Sequence, residues 1–422
     1  MPTHTRVLIV GGGILGCSLA YHLAREGWSD CILIEKAELT SGSTWHAAGQ
    51  VTHSTSSYGL GRMAGYAIDL YKRIKAETGQ SVTFHDCGSL RLAYTDDEFD
   101  WLRYTVSIGA SLRHPMEIIG PDEIRRRHPF YNLDGIQAAL WTPEDGHVDP
   151  AGATFALAAG ARQAGATIIR NNRVTDIRAE PNGEWRVCTE QGDFICEHVV
   201  NAGGTYARQV GAWTGLELPI TCMTHHYLVT DTVPEFLELD HELPVVRDDR
   251  EVSGYVRMEQ KSGLIGIYEK ANPNTVWLDG TPWEAESELF EADYERIMPW
   301  LENAMERMPI LAELGIKREV HGAITHPPDG NMLLGPAPGL RNYWCCCGCQ
   351  IGVGWGPGAG KYLAQWMVYG AADISMREFD PRRYGDFADS EYAITKARED
   401  YLLRHEIPYP HLNRLDGRPV KP

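Results

Sequence analysis

A glycine-rich segment near the start of the chain, residues 6–16, constrains the fold more than any other feature of the sequence. The apolar run Val7–Val10 predicts a β-strand that ends at Gly11. Gly11 permits a tight turn, Gly13 lets the backbone approach a pyrophosphate, and Gly16 lets the following helix pack close to the sheet. The N-terminus of that helix offers unpaired N–H groups to phosphate oxygens. The segment therefore predicts a strand–turn–helix unit that binds a dinucleotide.

The acidic residue that such a unit requires is also present. A second apolar strand, Cys31–Ile34, ends at Glu35, where a carboxylate would bind the ribose hydroxyls of the nucleotide. Lys36 follows directly and is expected to border the same site. A Gly-rich turn in an unrelated α/β protein is the alternative, but it would not require the second strand or its terminal acid.

The next segment distinguishes FAD from NAD. Residues 40–49 are small, polar and rich in glycine, so their backbone can lie against a flat ring, and this favours FAD. The segment also contains His46. Composition alone leaves the role of His46 open, because an ordinary histidine in a surface loop would give the same pattern.

The run Gly-Ser-Thr-Trp-His-Ala-Ala-Gly, residues 42–49, is similar residue for residue to a motif of the dimethylglycine dehydrogenase and sarcosine dehydrogenase family. In that family the histidine is bonded to the 8α carbon of the flavin, so the resemblance implies a covalent link between His46 and FAD. A non-catalytic relative, the regulatory subunit of pyruvate dehydrogenase phosphatase, lacks this histidine. The resemblance also implies flavin contacts from Ser43, Thr44, Ala48 and Gly49.

Further cofactor contacts are expected later in the chain. The resemblance implies that Val174 contacts the adenine through its backbone. A strand that ends in Ala202 and Gly203 presents small residues, although a simple βα turn would do the same. Residues 352–360 predict a Gly-rich loop before a helix from Lys361 to Met367, and such a helix N-terminus suits the anionic edge of a reduced flavin. The glycines assigned to this contact are Gly352, Gly354 and Gly356.

The predicted fold class is mixed α/β, with a Rossmann-type FAD-binding domain and an interleaved antiparallel β-sheet substrate domain, as in D-amino-acid oxidase. Alternating residues such as Ser89–Tyr94 indicate half-buried strands of that second sheet. The FAD-binding domain is predicted to comprise residues 1–80, 148–217 and 322–370, the substrate domain residues 81–147 and 218–321, and a connector-like tail residues 371–422.

Four residues of the predicted substrate domain are candidates for contact with the substrate. The resemblance places His225 and Tyr255 at positions that the family uses in its active site, and an imidazole with a near-neutral pKa would suit a proton acceptor. Arg257 shares a strand face with Tyr255 and could pair with a carboxylate, as could Tyr268 by hydrogen bonding. A satisfied core histidine and an ordinary strand tyrosine remain the alternatives for the first two.

Charge and cysteine usage restrict the partners. A net charge of −18 argues against binding nucleic acid or an anionic membrane, and no apolar run is long enough for a transmembrane helix. The first strand begins close to residue 1 and the ten cysteines are scattered, which predicts a cytoplasmic, reducing location. The run Cys345–Cys347, with Cys349, predicts a buried strand rather than a redox or metal site, because neighbouring strand residues point to opposite faces. No metal site is predicted.

The predicted function is FAD-dependent oxidative N-demethylation of a small N-methylated amino acid, of the dimethylglycine kind, which releases formaldehyde. The alternatives are oxidation of another secondary or tertiary amine acid such as N-methylproline, and a non-catalytic flavin-binding subunit. Oxygen or an electron-transfer flavoprotein would accept the electrons. Residues 380–419 resemble the connector that precedes a folate-binding domain in the family, so a separate folate-binding chain is expected to dock near residues 409–422.

Overall fold

The computed structural model describes residues 3–270 and 273–403. The segment 409–422, to which a folate-binding partner is assigned above, therefore lies outside the described residues. The strands are β1 (Thr3–Val10), β2 (Cys31–Ile34), β3 (Gln50–Val51), β4 (Ser89–Ala93), β5 (Glu117–Ile119), β6 (Ala138–Thr142), β7 (Gly146–His147), β8 (Thr167–Ile169), β9 (Val174–Ala179), β10 (Trp185–Thr189), β11 (Gly192–Asn201), β12 (Thr221–Thr232), β13 (Val245–Asp248), β14 (Gly254–Glu259), β15 (Ser262–Ile267), β16 (Ile316–His326), β17 (Leu333–Pro336) and β18 (Tyr343–Cys347). The helices are α1 (Ile14–Arg25), α2 (Tyr58–Thr78), α3 (Asp96–Leu112), α4 (Pro121–Arg127), α5 (Pro150–Gln163), α6 (Ala207–Ala212), α7 (Pro234–Leu237), α8 (Tyr294–Arg307), α9 (Gly352–Tyr369) and α10 (Ser390–Leu403).

The first sheet has the order β17-β18-β11-β1-β2-β8, in which β18, β11, β1, β2 and β8 are parallel and β17 is antiparallel to β18; β10 pairs with β11, and β9 pairs with β10. The four residues Val7–Val10 of β1 are buried because α1, α2, α5 and α9 cover one face of the sheet and α6 lies against the other. Strands covered on both faces read as continuous apolar runs. For that reason the sequence located β1 and β2 correctly.

The cysteine strand confirms the prediction made for it. β18 lies between β11 and β17, and Cys345, Cys346 and Cys347 are fully buried. Cys346 packs into the helix-covered core, whereas its two neighbours pack into the core on the opposite face. None of the ten cysteines, all of which fall within the described ranges, forms a disulfide.

The predicted loop 352–360 is wrong, because α9 already begins at Gly352. Its glycines let three helices approach closely: a Cβ at Gly358 would lie 2.4 Å from Met63, and one at Gly360 would lie 2.2 Å from Ser18. Pro357 lies inside this helix and lacks the N–H that would bond to the carbonyl of Val353. The Tyr71 hydroxyl donates to that carbonyl instead, at 2.8 Å.

The second sheet has the order β16-β12-β15-β14-β13-β4-β6-β5. It is antiparallel as predicted except between β13 and β4, which run parallel. One face of the sheet packs against α8, whose first turn is capped by the Asp293 side chain. The strands from residues 218–326 form one side of this sheet and those from residues 81–147 form the other, and the two groups meet where β13 pairs with β4. Among the helices that the structure describes, none combines the length and apolar character needed to cross a bilayer.

Candidate active site

A single elongated cavity runs from the end of the parallel sheet to the second sheet. About 1830 Å³ of space free of protein atoms, its open mouth included, lies between its walls. The predicted site residues on its wall are Gly11, Gly13, Glu35, Lys36, Ser43, Thr44, His46, Ala48, Gly49, Val174, Ala202, Gly203, His225, Tyr255, Tyr268, Gly352 and Gly354.

The end of the cavity at β1 fits the pyrophosphate and ribose of FAD. Gly11 has a φ of +115°, and a Cβ there would lie 2.3 Å from the carbonyl oxygen of Ala202. The N-cap residue of α1 is Gly13, which has no side chain to cap the helix. The N-terminus of α1 therefore opens onto the cavity. Gly16 lies behind the wall, where a Cβ would collide with the Gly11 carbonyl at 2.0 Å, in agreement with the packing role expected for it.

Glu35 lies beside these glycines at the end of β2. Its carboxylate accepts the N–H of Gly12 at 2.7 Å and that of Ala37 at 3.0 Å. Burial raises the pKa of this carboxyl above its ordinary value. A carboxylate held by two backbone donors keeps further lone pairs for ribose hydroxyls.

Lys36 lines the cavity but is engaged with the protein. Its ammonium donates to the carbonyls of Trp283 and Ala285, at 3.2 and 2.6 Å, and lies over the ring of Tyr206. It therefore ties the nucleotide end of the site to the long loop before α8. Val174 is buried at the start of β9 on the same stretch of wall.

The loop between β2 and β3 forms the middle of the cavity and carries His46. Thr44 accepts the N–H of Ile14 at 3.2 Å, and the Ser43 hydroxyl donates to the carbonyl of Ala323 at 2.6 Å. Gly49 has a φ of +75°, and a Cβ there would lie 2.2 Å from the carbonyl oxygen of Val148. These contacts fix the loop against α1, β16 and the segment after β7.

The His46 side chain is 7% exposed and packs on β16. A Cβ at Gly322 would lie between 2.4 and 2.7 Å from three atoms of the His46 ring, so the ring rests directly on the glycine. Burial lowers the pKa of His46 to about 4, which leaves the imidazole neutral at physiological pH. A neutral ring nitrogen has the lone pair that bond formation with a flavin carbon requires.

The second sheet forms the wall opposite this loop. Nε2 of His225 lies 3.0 Å from the Tyr255 hydroxyl, and the His225 ring stacks on Tyr268 with 4.2 Å between ring centroids. Gly266 makes room for Tyr255, because a Cβ there would lie 2.0 Å from the tyrosine ring. The sequence-based candidates His225, Tyr255 and Tyr268 therefore meet at one place.

The electrostatics of His225 differ from the expectation of a near-neutral pKa. Burial, followed by the charges of His226 and Arg247, holds the pKa of His225 well below its usual range. Nδ1 of His225 has no hydrogen-bond partner among the described residues. The neutral imidazole is thus arranged to exchange a hydrogen bond with Tyr255 rather than to hold a proton in the resting state.

The structure corrects the prediction for Arg257. This residue is absent from the cavity wall; its guanidinium donates to the carbonyl of Ala48 at 3.0 Å and pairs with Glu259 at 2.8 Å. Because Arg257 shares a strand face with Tyr255, it faces the loop that carries His46. It contacts that loop at the Ala48 carbonyl, outside the cavity wall. Gly356 is a second correction, since it lies within α9 against Ile14, whereas Gly352 and Gly354 line the cavity at the uncapped end of the helix.

Arg247 lines the cavity beside Tyr255 and Tyr268, and the sequence analysis missed it. It lies on β13 directly opposite Tyr255 in the strand register, and its guanidinium is 5.1 Å from the centre of the Tyr268 ring. Both Arg247 and Arg91 pair with Asp249, at 2.7 and 2.8 Å. The available signal was a charged residue within β13, directly after the buried Val245 and Val246.

Helix α10 supports this end of the cavity from outside. The Tyr401 hydroxyl donates to Glu269 at 3.0 Å, and its ring lies 5.7 Å from the Tyr268 ring. Glu269 is fully buried, and this burial raises its pKa to about 7, despite the charge of Arg296 3.9 Å away. The helix therefore attaches to the segment directly after β15, which carries Tyr268.

Comparison with known proteins agrees with this architecture. A family model described as FAD dependent oxidoreductase matches residues 6–366, and one described as FAD dependent oxidoreductase central domain matches residues 369–422. The chain belongs to the FAD dependent oxidoreductase family. This FAD dependent oxidoreductase has the fold predicted for it: the crystal structure of L-proline dehydrogenase from P. horikoshii superposes with a TM-score of 0.79 at 26% identity, covering 91% of this chain and 98% of that one.

Two curated relatives confirm the family to which the resemblance pointed. The FAD dependent oxidoreductase is 42% identical to the mitochondrial dimethylglycine dehydrogenase of Rattus norvegicus, over 98% of this chain and 49% of the relative. It is 32% identical to the mitochondrial sarcosine dehydrogenase of Homo sapiens, over 100% of this chain and 46% of the relative. The chain thus spans about half the length of the curated relatives it matches.

Proposed function

We propose that this protein holds FAD covalently through His46 and oxidises a small N-methylated amino acid, such as N,N-dimethylglycine, to the demethylated amine and formaldehyde. The observation that carries the proposal is the position of His46 relative to the His225–Tyr255 pair. The His46 ring rests on Gly322, and Gly322 is the residue directly opposite His225 in the pairing of β16 with β12. One cavity therefore contains both a neutral histidine for the cofactor and a polar pair for a substrate.

The cofactor's parts have matching residues along the cavity. Gly11, Gly13 and the end of α1 would hold the pyrophosphate, Glu35 the ribose, and Val174 the adenine. The uncapped N-terminus of α9 would face the flavin. When bound, FAD accepts a hydride from the carbon next to the amine nitrogen.

The substrate end of the cavity suits an amino acid with a neutral amine. Arg247 would bind the carboxylate, because its guanidinium lines the cavity and a guanidinium forms charge-assisted hydrogen bonds with carboxylates. Burial and the charge of Arg247 disfavour an ammonium, so the amine keeps the lone pair that the oxidation needs. Tyr255, held by His225, would orient the amine nitrogen, and the rings of Tyr227 and Tyr268 exclude water.

Two alternatives remain to be separated from this proposal. A larger amine acid such as N-methylproline would need the same arginine and the same neutral amine. A non-catalytic flavin-binding subunit would need neither, and the polar pair opposite His46 argues against it. The electron acceptor, oxygen or an electron-transfer flavoprotein, is a separate part of the proposal, as is a folate-binding chain that takes up the formaldehyde.

Anaerobic flavin bleaching tests the proposal directly. The purified holoprotein is mixed in turn with dimethylglycine, sarcosine, N-methylproline and glycine betaine, while the absorbance band of oxidised flavin near ~450 nm is followed. We expect rapid loss of the band with dimethylglycine or sarcosine. Formaldehyde should form in an amount equal to that of the flavin reduced. Glycine betaine is the matched control, because its quaternary nitrogen has no lone pair.

Bleaching by N-methylproline alone would favour the first alternative, and no bleaching by any of the four compounds would favour the second. The covalent link is tested separately with His46→Ala. This variant should release all its flavin on acid precipitation. Flavin that stays on the precipitated variant polypeptide would show that another residue carries the link.

A further inference from the structure

Two histidines and a glutamate outside the cofactor cavity converge on one point. His85, His147 and Glu242 each offer one ligand atom, and these three atoms lie within 4.8 Å of one another. Nδ1 of His85 is 2.7 Å from one carboxylate oxygen of Glu242, and Nε2 of His147 is hydrogen-bonded to the other oxygen. None of the three lines the cavity, and the proposed function gives them no role.

The backbone holds the two histidines in position. His85 and His147 lie directly opposite each other and exchange two backbone hydrogen bonds, of 2.8 and 3.2 Å. Their rings stack with centroids 4.4 Å apart and an angle of 10° between planes. This approach depends on Gly146, because a Cβ there would lie 1.8 Å from the carbonyl oxygen of His85. The paired backbone therefore fixes the two histidines relative to each other and brings their rings together.

We propose that His85, His147 and Glu242 form a binding site for Zn²⁺, or for a divalent transition metal of similar preference. Two imidazole nitrogens and one carboxylate form a ligand set that Zn²⁺ uses, with water in the fourth position. The His85 side chain is 40% exposed and that of His147 8%, so the site is open to solvent on one side and closed on the other. That leaves a path for the ion and a place for the water.

The change needed to admit the ion is small. Ligand distances of about 2.1 Å in a tetrahedron separate the ligand atoms by roughly 3.4 Å. The contact of 2.7 Å between His85 and Glu242 must therefore open by less than ~1 Å. Each imidazole would bind the metal through the ring nitrogen that now bonds to Glu242, so the proton on that nitrogen moves to the other ring nitrogen or is released.

The site lies where three parts of the fold meet. His147 pairs with Gln50 across β7 and β3, and Gln50 lines the cavity just after the loop that carries His46. Glu242 belongs to the segment before β13, the strand that carries Arg247. A bound ion would fasten the cofactor loop to the substrate sheet, and we expect it to stabilise the protein rather than to take part in the reaction.

Metal titration of the full-length holoprotein, without an affinity tag and after treatment with a chelator, tests this site. Co²⁺ serves as a spectroscopic probe, Zn²⁺ as a competitor, and elemental analysis gives the stoichiometry. We expect one ion per chain, visible d–d absorption bands, and a rise in Tm when Zn²⁺ is added. His147→Gln should weaken binding by about 100-fold or more and abolish the rise in Tm.

Two control variants keep the test specific. His241→Gln removes an exposed histidine next to Glu242, and Cys87→Ser removes the nearby thiol; both should bind the metal like the unmodified protein. Glu242→Gln serves if His147→Gln does not fold, with flavin content and circular dichroism as the checks. The proposal fails if the unmodified protein binds no stoichiometric ion, or if the variants at His147 and Glu242 bind it unchanged.

Discussion

Adding one methyl group at Gly322 should displace His46 without altering any functional group. A Cβ at this position would lie 2.4 Å from Cε1, 2.5 Å from Nδ1 and 2.7 Å from Nε2 of the His46 ring. Carbon contacts are favourable only at about 3.5–4.0 Å, so the ring must move by roughly 1 Å. The ring lines the cavity and can move into it, whereas the strand backbone is held between its neighbours.

The magnitude of both effects follows from that displacement. Overpacking of this kind costs about 1–3 kcal/mol, and we expect the lower value for Gly322→Ala because a side chain moves instead of backbone. A reacting group misplaced by about 1 Å can slow its reaction by about 100-fold. Covalent attachment of FAD through His46 should therefore slow by about that factor in the variant, while the free energy of unfolding changes little.

The assay follows attachment in apoprotein that is mixed with FAD. Samples are precipitated with acid at intervals, and flavin fluorescence is measured in the pellet and in the supernatant. Gly120→Ala is the matched control, because a Cβ at Gly120 meets no atom within 4 Å. If FAD attached to Gly322→Ala at the rate of the unmodified protein, the reasoning would be refuted. Either the ring would not have moved, or its position would not control the attachment rate.

Three further predictions concern the substrate end, a buried acid and a proline-containing helix. Arg247→Gln should raise the KM for an amino acid about 10-fold or more, from the loss of a charge-assisted hydrogen bond worth about 1.5–3 kcal/mol; an equal KM increase for an uncharged amine would contradict this. The pKa of Glu269 is about 7 in the folded protein, compared with an ordinary value of 4.5. Protonation of Glu269 therefore stabilises the folded state relative to the unfolded state. The free energy of unfolding should fall as pH rises from 4.5 to 7, by on the order of 3 kcal/mol; urea titrations should show this slope lost in Glu269→Gln, and an unchanged slope would exclude Glu269 as its source. Tyr71→Phe leaves the carbonyl of Val353 without its donor, and thermal unfolding should show a free energy of unfolding lower by about 1–3 kcal/mol. An unchanged Tm would mean that another donor replaces the tyrosine hydroxyl.

The sequence determined the parts of this protein that depend on local order. The β1–α1–β2 unit was predictable because its glycines, apolar strands and Glu35 follow one another within a single stretch of chain. The buried cysteine strand was predictable for the same reason, since adjacent residues on a strand face opposite sides. The Gly-rich start of α9 was misread as a loop because glycine disfavours an isolated helix. Only the packing against Met63 and Ser18 makes those glycines necessary.

Tertiary structure decided what depends on residues far apart in the sequence. Period-two spacing put Arg257 on the face of Tyr255, but the strand register put Arg247 opposite Tyr255 and into the cavity, which spacing on one strand does not reveal. The pKa of His225 depends on burial that no local pattern encodes. His85 and Glu242 are 157 residues apart, and their meeting depends on a sheet that joins both segments. Sequence thus sets which chemistry each segment offers, and long-range pairing sets which groups meet, because strand register and burial are properties of the assembled fold.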